Sequence, residues 1–188
     1  MTDPVITVDV RSELGALRTV VMRLASPDRT GFTAVTSLLH SSVRAQFRHN
    51  TWKRYDYRRV RDQQERLAQV LRDHGVTVLF LDGGAEVTTQ HYTRDIAFGI
   101  DDALFVARMG TRYREPEHQA LSPLLATLSD VVGLPKGRVE GGDVMLFDNT
   151  VLVGLSEASD ADGVAALRET LALRGSTRAV VPVPFAST

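Results

Sequence analysis

Two carboxylates, Glu140 and Asp143, flank a glycine pair in the stretch Val139–Phe147, V-E-G-G-D-V-M-L-F, of this 188-residue chain. A third, Asp95, closes Tyr92–Asp95, Y-T-R-D, just ahead of another apolar run. Glycine allows close backbone approach and takes positive φ without steric cost, so Gly141-Gly142 suits a turn. Acids at the mouth of a buried hairpin rarely stand without a function, the alternative being a turn with solvated acids. Converging carboxylates can bind a metal, perform acid–base chemistry or hold a planar cation. A metal is not expected, because there is no His-x-His pair, no His-Glu-x-x-His and no calcium-loop pattern. Glycoside chemistry would set two acids across a sugar, and no aromatic platform accompanies these. A guanidinium suits them best, since it forms paired, charge-assisted bonds to carboxylates. Arg94 and Arg114 are the basic neighbours in the same region.

The elements that must position these acids can be read from periodicity and turns. Val144–Phe147, Asp148-Asn149 and Val151–Leu155 read as strand, tight turn, strand. Ile96–Phe98, Asp101-Asp102 and Ala103–Ala107 repeat that plan behind Asp95. A helix should follow each hairpin: Glu115–Ser129, with Pro116 in its first turn and Leu121, Leu124, Leu125 and Leu128 inward, and Ser159–Arg174, ended by Gly175. Val180–Phe185 reads as a further strand. Asp95 and Glu140 thus open two copies of a ββαβ unit, which predicts an internal repeat and acids gathered at one end of its sheets.

Upstream, Leu17–Leu24 is an expected strand and Thr33–Phe47 has helical spacing. His49–Tyr57 is aromatic, basic and aperiodic, either a lid or a surface connection. Val60–His74 is an amphipathic helix, with Val60, Gln64, Leu67, Val70 and Leu71 on its apolar side and Gly75 as its stop. Val76–Leu81 is a buried strand, and Gly83-Gly84 is a turn. No linker or low-complexity stretch divides the chain, so residues 1–188 are expected to form a single domain.

A net charge of −1 predicts no general attraction to nucleic acid or to anionic membranes. Positive charge is nearly all arginine, with Lys53 and Lys136 the two lysines. The chain has no cysteine, so it supplies no disulfide, thiolate metal site or cysteine nucleophile. No apolar run approaches the ~20 residues that span a bilayer, and Met1–Pro4 does not open a secretory leader. A soluble, cytoplasmic protein is expected.

Five short motifs, in order, resemble the guanidino-group-modifying superfamily of arginine deiminases, dimethylarginine dimethylaminohydrolases and amidinotransferases. They are Ser12–Met22 (S-E-x-G-x-L-R-x-V-V-M), Tyr92–Asp95 (Y-T-R-D), Arg112–Glu115 (R-x-x-E), Glu140–Asp143 (E-G-G-D) and Val151–Ser156 (V-L-V-G-L-S). Leu71–Leu81 is similar to the same family's helix and strand. The resemblance implies an α/β fold, the pentein, a five-bladed propeller of ββαβ units. This chain would hold about three blades and the opening strand of a fourth, incomplete at its C-terminus.

The resemblance also implies roles. Asp95 would bind the substrate guanidinium, Glu140 would orient a catalytic histidine, and Asp143 would support the turn and the site. Arg114 would contact a substrate carboxylate. No cofactor is implied. The family's catalytic histidine and cysteine have no counterpart here, and His40, His49, His74, His91 and His118 stand outside its motif. Where relatives acting on free arginine derivatives read Arg-Thr after G-L-S, this chain reads Glu157-Ala158-Ser159, which argues against α-amino-acid substrates. Three explanations stand side by side: a second chain completing the propeller of an amidinohydrolase or amidinotransferase, a lone fragment, or a non-catalytic relative that binds a guanidino ligand or a protein. Bare blade faces favour a complex, with that second chain or as a homo-oligomer.

Overall fold

The computed structural model describes residues 6–26, 56–81, 91–110 and 112–185. The helix expected over Thr33–Phe47, most of His49–Tyr57 and the Gly83-Gly84 turn lie outside them. The chain divides into two compact units, Arg18–His91 and Tyr92–Thr188 with Met1–Leu17.

In the first unit, β1 (Thr19–Met22) and β2 (Thr77–Phe80) pair in parallel, Thr19 opposite Thr77 and Met22 opposite Phe80. Parallel neighbours need a crossover, and α1 (Tyr57–Asp73) lies in it. The Asp56 side chain accepts from the backbone N–H groups of Arg58 and Arg59 and starts the helix. Gly75, at φ +78°, ends it. The inward stripe differs from the expected one. Ala68 is buried, while Leu67 and Val70 are half exposed. The Gln64 amide explains the rotation: it accepts from Ala25 N at 2.7 Å and donates to Arg23 O at 3.0 Å. Pinning Gln64 to the backbone after β1 turns Val60, Ala68 and Leu71 inward with it.

In the second unit the predicted repeat is present twice. The first copy is α2 (Thr93–Ile96), β3 (Ala97–Ile100), β4 (Ala103–Val106), a 3-10 helix (Arg112–Leu121), α3 (Ser122–Leu125) and β5 (Val131–Gly133). The second is a 3-10 turn (Gly141–Asp143), β6 (Val144–Phe147), β7 (Thr150–Leu155), α4 (Ala161–Leu173) and β8 (Ala179–Pro184). Each forms a three-stranded sheet, β3-β4-β5 and β6-β7-β8, with an antiparallel hairpin and then a parallel third strand. Asp101 and Asp148 carry positive φ at the hairpin turns, a conformation that aspartate tolerates better than most residues.

Two expectations are corrected here. The helix over Glu115–Ser129 is mostly 3-10, followed by one α turn. Pro116 and Pro123 lack the N–H that a continuous α-helix would use. The terminal strand does not open a fourth blade. β8 pairs with β7 from Ala179 opposite Thr150 to Pro184 opposite Leu155, and so completes the third sheet.

The core of this unit stacks Phe98 on Phe105, with centroids 5.5 Å apart, and buries Val144, Leu146, Val151, Val153 and Val180. From α4, Val164, Leu167 and Leu171 are buried as well. Among the described residues no helix is long and apolar enough to cross a membrane.

Asp160 caps α4, accepting from Gly163 N at 2.8 Å and from Arg138 N at 3.0 Å. That double contact draws the helix start onto the Arg138 backbone, and a Cβ on Gly163 would overlap the Arg138 carbonyl. Gly163→Ala is therefore expected to cost about 1–3 kcal/mol through overpacking. Urea denaturation measures it, and unchanged stability would show that the contact yields freely.

Candidate functional site

The site is built where the two repeats begin. An added Cβ on Gly141 would overlap the carbonyl oxygen of Arg94, and one on Gly142 would come within 2.6 Å of Asp95 Oδ1. The glycine pair thus lets the E-G-G-D turn lie directly on the Y-T-R-D segment. Arg94 fastens the contact: its Nε donates to Gly141 O at 3.1 Å and its Nη2 to Val144 O at 2.6 Å. Glu13 accepts from the same Nη2 at 2.7 Å and from Leu146 N at 3.2 Å. The glutamate of the early S-E-x-G motif therefore braces both segments.

Asp95 and Glu140 meet on one guanidinium. Arg114 Nη1 donates to Asp95 Oδ2 at 2.9 Å and to Glu140 Oε2 at 3.3 Å. The remaining edge of Arg114 forms two bonds to Glu117, each 3.0 Å. Residues three apart eclipse one another on a 3-10 helix, which aligns Arg114 with Glu117. Glu117 is fully buried, and Arg114 and Glu140 are nearly so. Burial opposes the Arg114 charge, but Glu117 and then Asp95 outweigh it and hold its pKa above the ordinary arginine value. Burial raises the Glu140 pKa; the Gly110 N–H and Arg114 oppose the rise, and Asp95 and Asp143 reinforce it.

The loop after β7 completes the surroundings. Ser156 Oγ donates to Asp143 Oδ2 at 2.7 Å, and Ser159 Oγ accepts from Glu140 N at 3.1 Å. Gly110 N donates to Glu140 Oε1 at 2.7 Å, while Gly110 itself lies so close to Ala158 that an added Cβ would stand 2.7 Å from its Cα. Asp95, Glu140, Asp143 and Arg114 are therefore gathered within one hydrogen-bonded cluster.

Glu117, Ser156, Ser159 and Gly110 were not singled out from the sequence. A signal for Glu117 was present: Arg114–Glu117 is itself an R-x-x-E, two positions beyond the one noted at Arg112–Glu115. Among the described residues no cluster of three or more His, Asp or Glu has metal-site geometry. A cavity of about 340 Å3 opens at the other end of the strands, lined by Arg11, Asp101, Asp102, Arg174 and Arg178. Its arginines already pair with Asp9, Asp101, Asp102 and Asp130, so the chemistry is read from the acids around Arg114 instead.

Comparison with known proteins bears on the fold and the family. An arginine deiminase family model matches residues 85–188. The uncharacterized protein YkgA of Bacillus subtilis (strain 168) is 32% identical over 111 residues, which are 58% of this chain and 39% of that protein. Dimethylarginine dimethylaminohydrolase from Pseudomonas aeruginosa, solved with citrulline, superposes with a TM-score of 0.65 at 16% identity, over 92% of this chain and 62% of that one. Inosamine-phosphate amidinotransferase from Streptomyces griseus gives 0.65 at 19% identity, over 96% and 64%. The chain thus spans under half of its curated relative and somewhat under two thirds of these solved structures. The fold is a partial pentein, and with its family match covering more than half of its residues the chain belongs to the arginine deiminase family of the guanidino-group-modifying superfamily.

Proposed function

We propose that these residues form the cation-recognising part of an amidinohydrolase- or amidinotransferase-like site that acts on a guanidino compound. The carrying observation is the convergence of Asp95 and Glu140 on the Arg114 guanidinium: the acids already stand in a geometry that holds a guanidinium nitrogen. Each carboxylate oxygen accepts two hydrogen bonds, and Arg114 takes only Oδ2 of Asp95. Asp95 then binds the ligand guanidinium, Glu140 orients a histidine, and Asp143 supports the turn. Because Arg114 spends its donors on three carboxylates, we assign it the positioning of those acids in preference to a ligand carboxylate.

Thiolate attack on a guanidinium carbon needs a cysteine, and the 188 residues hold none. The nucleophile and the histidine are therefore assigned to polypeptide outside these 188 residues. The same absence favours one alternative, a non-catalytic relative that binds a guanidino ligand or a protein.

Calorimetric titration with guanidinium chloride and with agmatine tests the site. Binding is expected, weakened about tenfold or more by Asp95→Asn, the loss of a charge-assisted bond. Affinity should fall as the pH drops through the Glu140 pKa, because the raised carboxyl becomes neutral there, above the ordinary glutamate range. Glu140→Gln should flatten that dependence. No binding by the folded chain would overturn the reading. Alone, the chain should release neither citrulline nor ammonia from arginine, methylarginines or agmatine, and steady release unaffected by Asp95→Ala would sink the mechanism.

The positioning role has a separate signature. Arg114→Leu leaves buried carboxylates without their counter-charge and should cost about 3–5 kcal/mol. Arg114→Leu with Glu117→Leu should cost less than Arg114→Leu alone, which a double-mutant cycle in urea reads directly.

A further inference from the structure

Strand β8 ends beside the candidate site, and an aromatic ring stands there. Phe185 follows Pro184, the last residue of β8, which is paired with Leu155 at the end of β7. Its ring lies over Gly154: an added Cβ on that glycine would stand 2.7 Å from Phe185 Cε2 and 3.5 Å from Asp143 Oδ1. The ring and the carboxylate therefore both border the space that a side chain at position 154 would fill. Gly154 is buried, while Phe185 is 65% exposed. A ring left so far in water gains little from core packing, so packing does not account for its place beside an acid.

Asp143 is held by one oxygen. Its Oδ2 accepts from Ser156 Oγ at 2.7 Å, and no hydrogen bond to Oδ1 is formed among the described residues. Ser156 Oγ itself accepts from Ala158 N at 2.9 Å and Ser159 N at 3.2 Å, which leaves its hydroxyl proton for Asp143. The carboxylate is thereby fixed with Oδ1 on the Phe185 side. A free carboxylate oxygen beside an aromatic face attracts a cation twice, by ion pairing and by the ring quadrupole. A nitrogen bonded to Oδ1 at about 2.8 Å can stand within the ~6 Å of a ring centroid over which cation–π attraction acts. The charges agree. Asp95, Glu117, Glu140 and Asp143 are gathered around the one guanidinium of Arg114, and Arg94 of the same junction is taken up by Glu13. One guanidinium on Asp95 still leaves acids in excess.

We propose that Phe185 and Asp143 Oδ1 form a second half of the site that receives a further cationic nitrogen of the ligand, so that the ligand is a guanidino compound bearing an amine and no carboxylate. Asp143 then binds as well as supporting its turn, and Phe185 is a specificity residue. A ligand carboxylate would meet Asp143 and Glu140 with like charge, while Arg94 and Arg114 are already committed to acids. The proposal rests on the reading that Asp95 binds a guanidinium, and it names what the other end of that ligand carries.

Calorimetric titration of the chain with butylguanidine, agmatine and arginine separates the two halves, since agmatine is butylguanidine with a terminal amine. Agmatine is expected to bind about tenfold more tightly than butylguanidine, the worth of one charge-assisted bond. Phe185→Leu, which keeps an apolar side chain but removes the ring, should lower that ratio about threefold. Phe185→Trp should keep it, and Asp143→Asn should abolish it. The ratio is read within each variant, which cancels any general loosening of the site. Equal binding of agmatine and butylguanidine would overturn the proposal, as would a ratio that the leucine variant leaves untouched, or arginine binding more tightly than agmatine. Binding of none of the three would overturn instead the reading of Asp95 on which the proposal rests.

Discussion

A single buried guanidinium, that of Arg114, sets the arrangement of this unit's chemistry. Three carboxylates surround it, one of them fully buried. Without that positive charge, burying Glu117 and bringing Asp95 beside Glu140 would be strongly unfavourable, because desolvation and like-charge repulsion act together. The compensation is incomplete by design of the charges: one arginine against three acids leaves the cluster with a net negative field. Burial raises the Glu140 pKa, with Asp95 and Asp143 adding to the rise and Arg114 opposing it, and the surplus of acids suits the cation proposed for the site. Stability and recognition here draw on the same atoms.

The two repeats are held together at both ends of their strands. At the carboxylate end the contact is made through backbone and Arg94. At the hairpin end Arg178 donates to Asp101 Oδ1 at 2.9 Å and to Asp148 O at 2.8 Å, so one side chain spans both hairpin turns. Arg174 adds bonds to Asp102 and Asp130 on the first repeat. These pairs account for the ion-lined cavity: it is the space left around a structural clasp, while the acids that lack such saturation are at the other end.

Much of this was legible in the residues. The apolar runs Val144–Phe147 and Ile96–Phe98, with acidic turns after each, specified two hairpins because strand and turn chemistry are local. The repeat followed from seeing that pattern twice. Leu67 and Val70 misled, because helix periodicity identifies an apolar stripe but not the polar tether that sets its rotation; Gln64 did that through bonds to residues far away in sequence. Glu117 was passed over because a glutamate in a charged stretch reads as solvated, and only the eclipsed geometry of a 3-10 helix turns it onto Arg114. The pairing of β8 was equally hidden. Its partner is chosen by the crossover through α4, and Pro182 and Pro184 leave the strand two fewer backbone donors for a ladder.

The contact between Gly141 and the Arg94 carbonyl binds the history of two segments into one. Any side chain at position 141 pushes on the backbone of Arg94, and Asp95 is the next residue along. Drift in either segment is thus felt by the other before it is felt by a ligand. Sequence change can accumulate on α1, on α4 and on the hairpin turns while leaving this junction alone. The junction itself can only be inherited whole or rebuilt by several simultaneous changes. A chain that diverges far from its relatives, and even one that changes which reaction it serves, would on these grounds keep the glycine pair and the arginine beneath it longer than the residues that touch substrate.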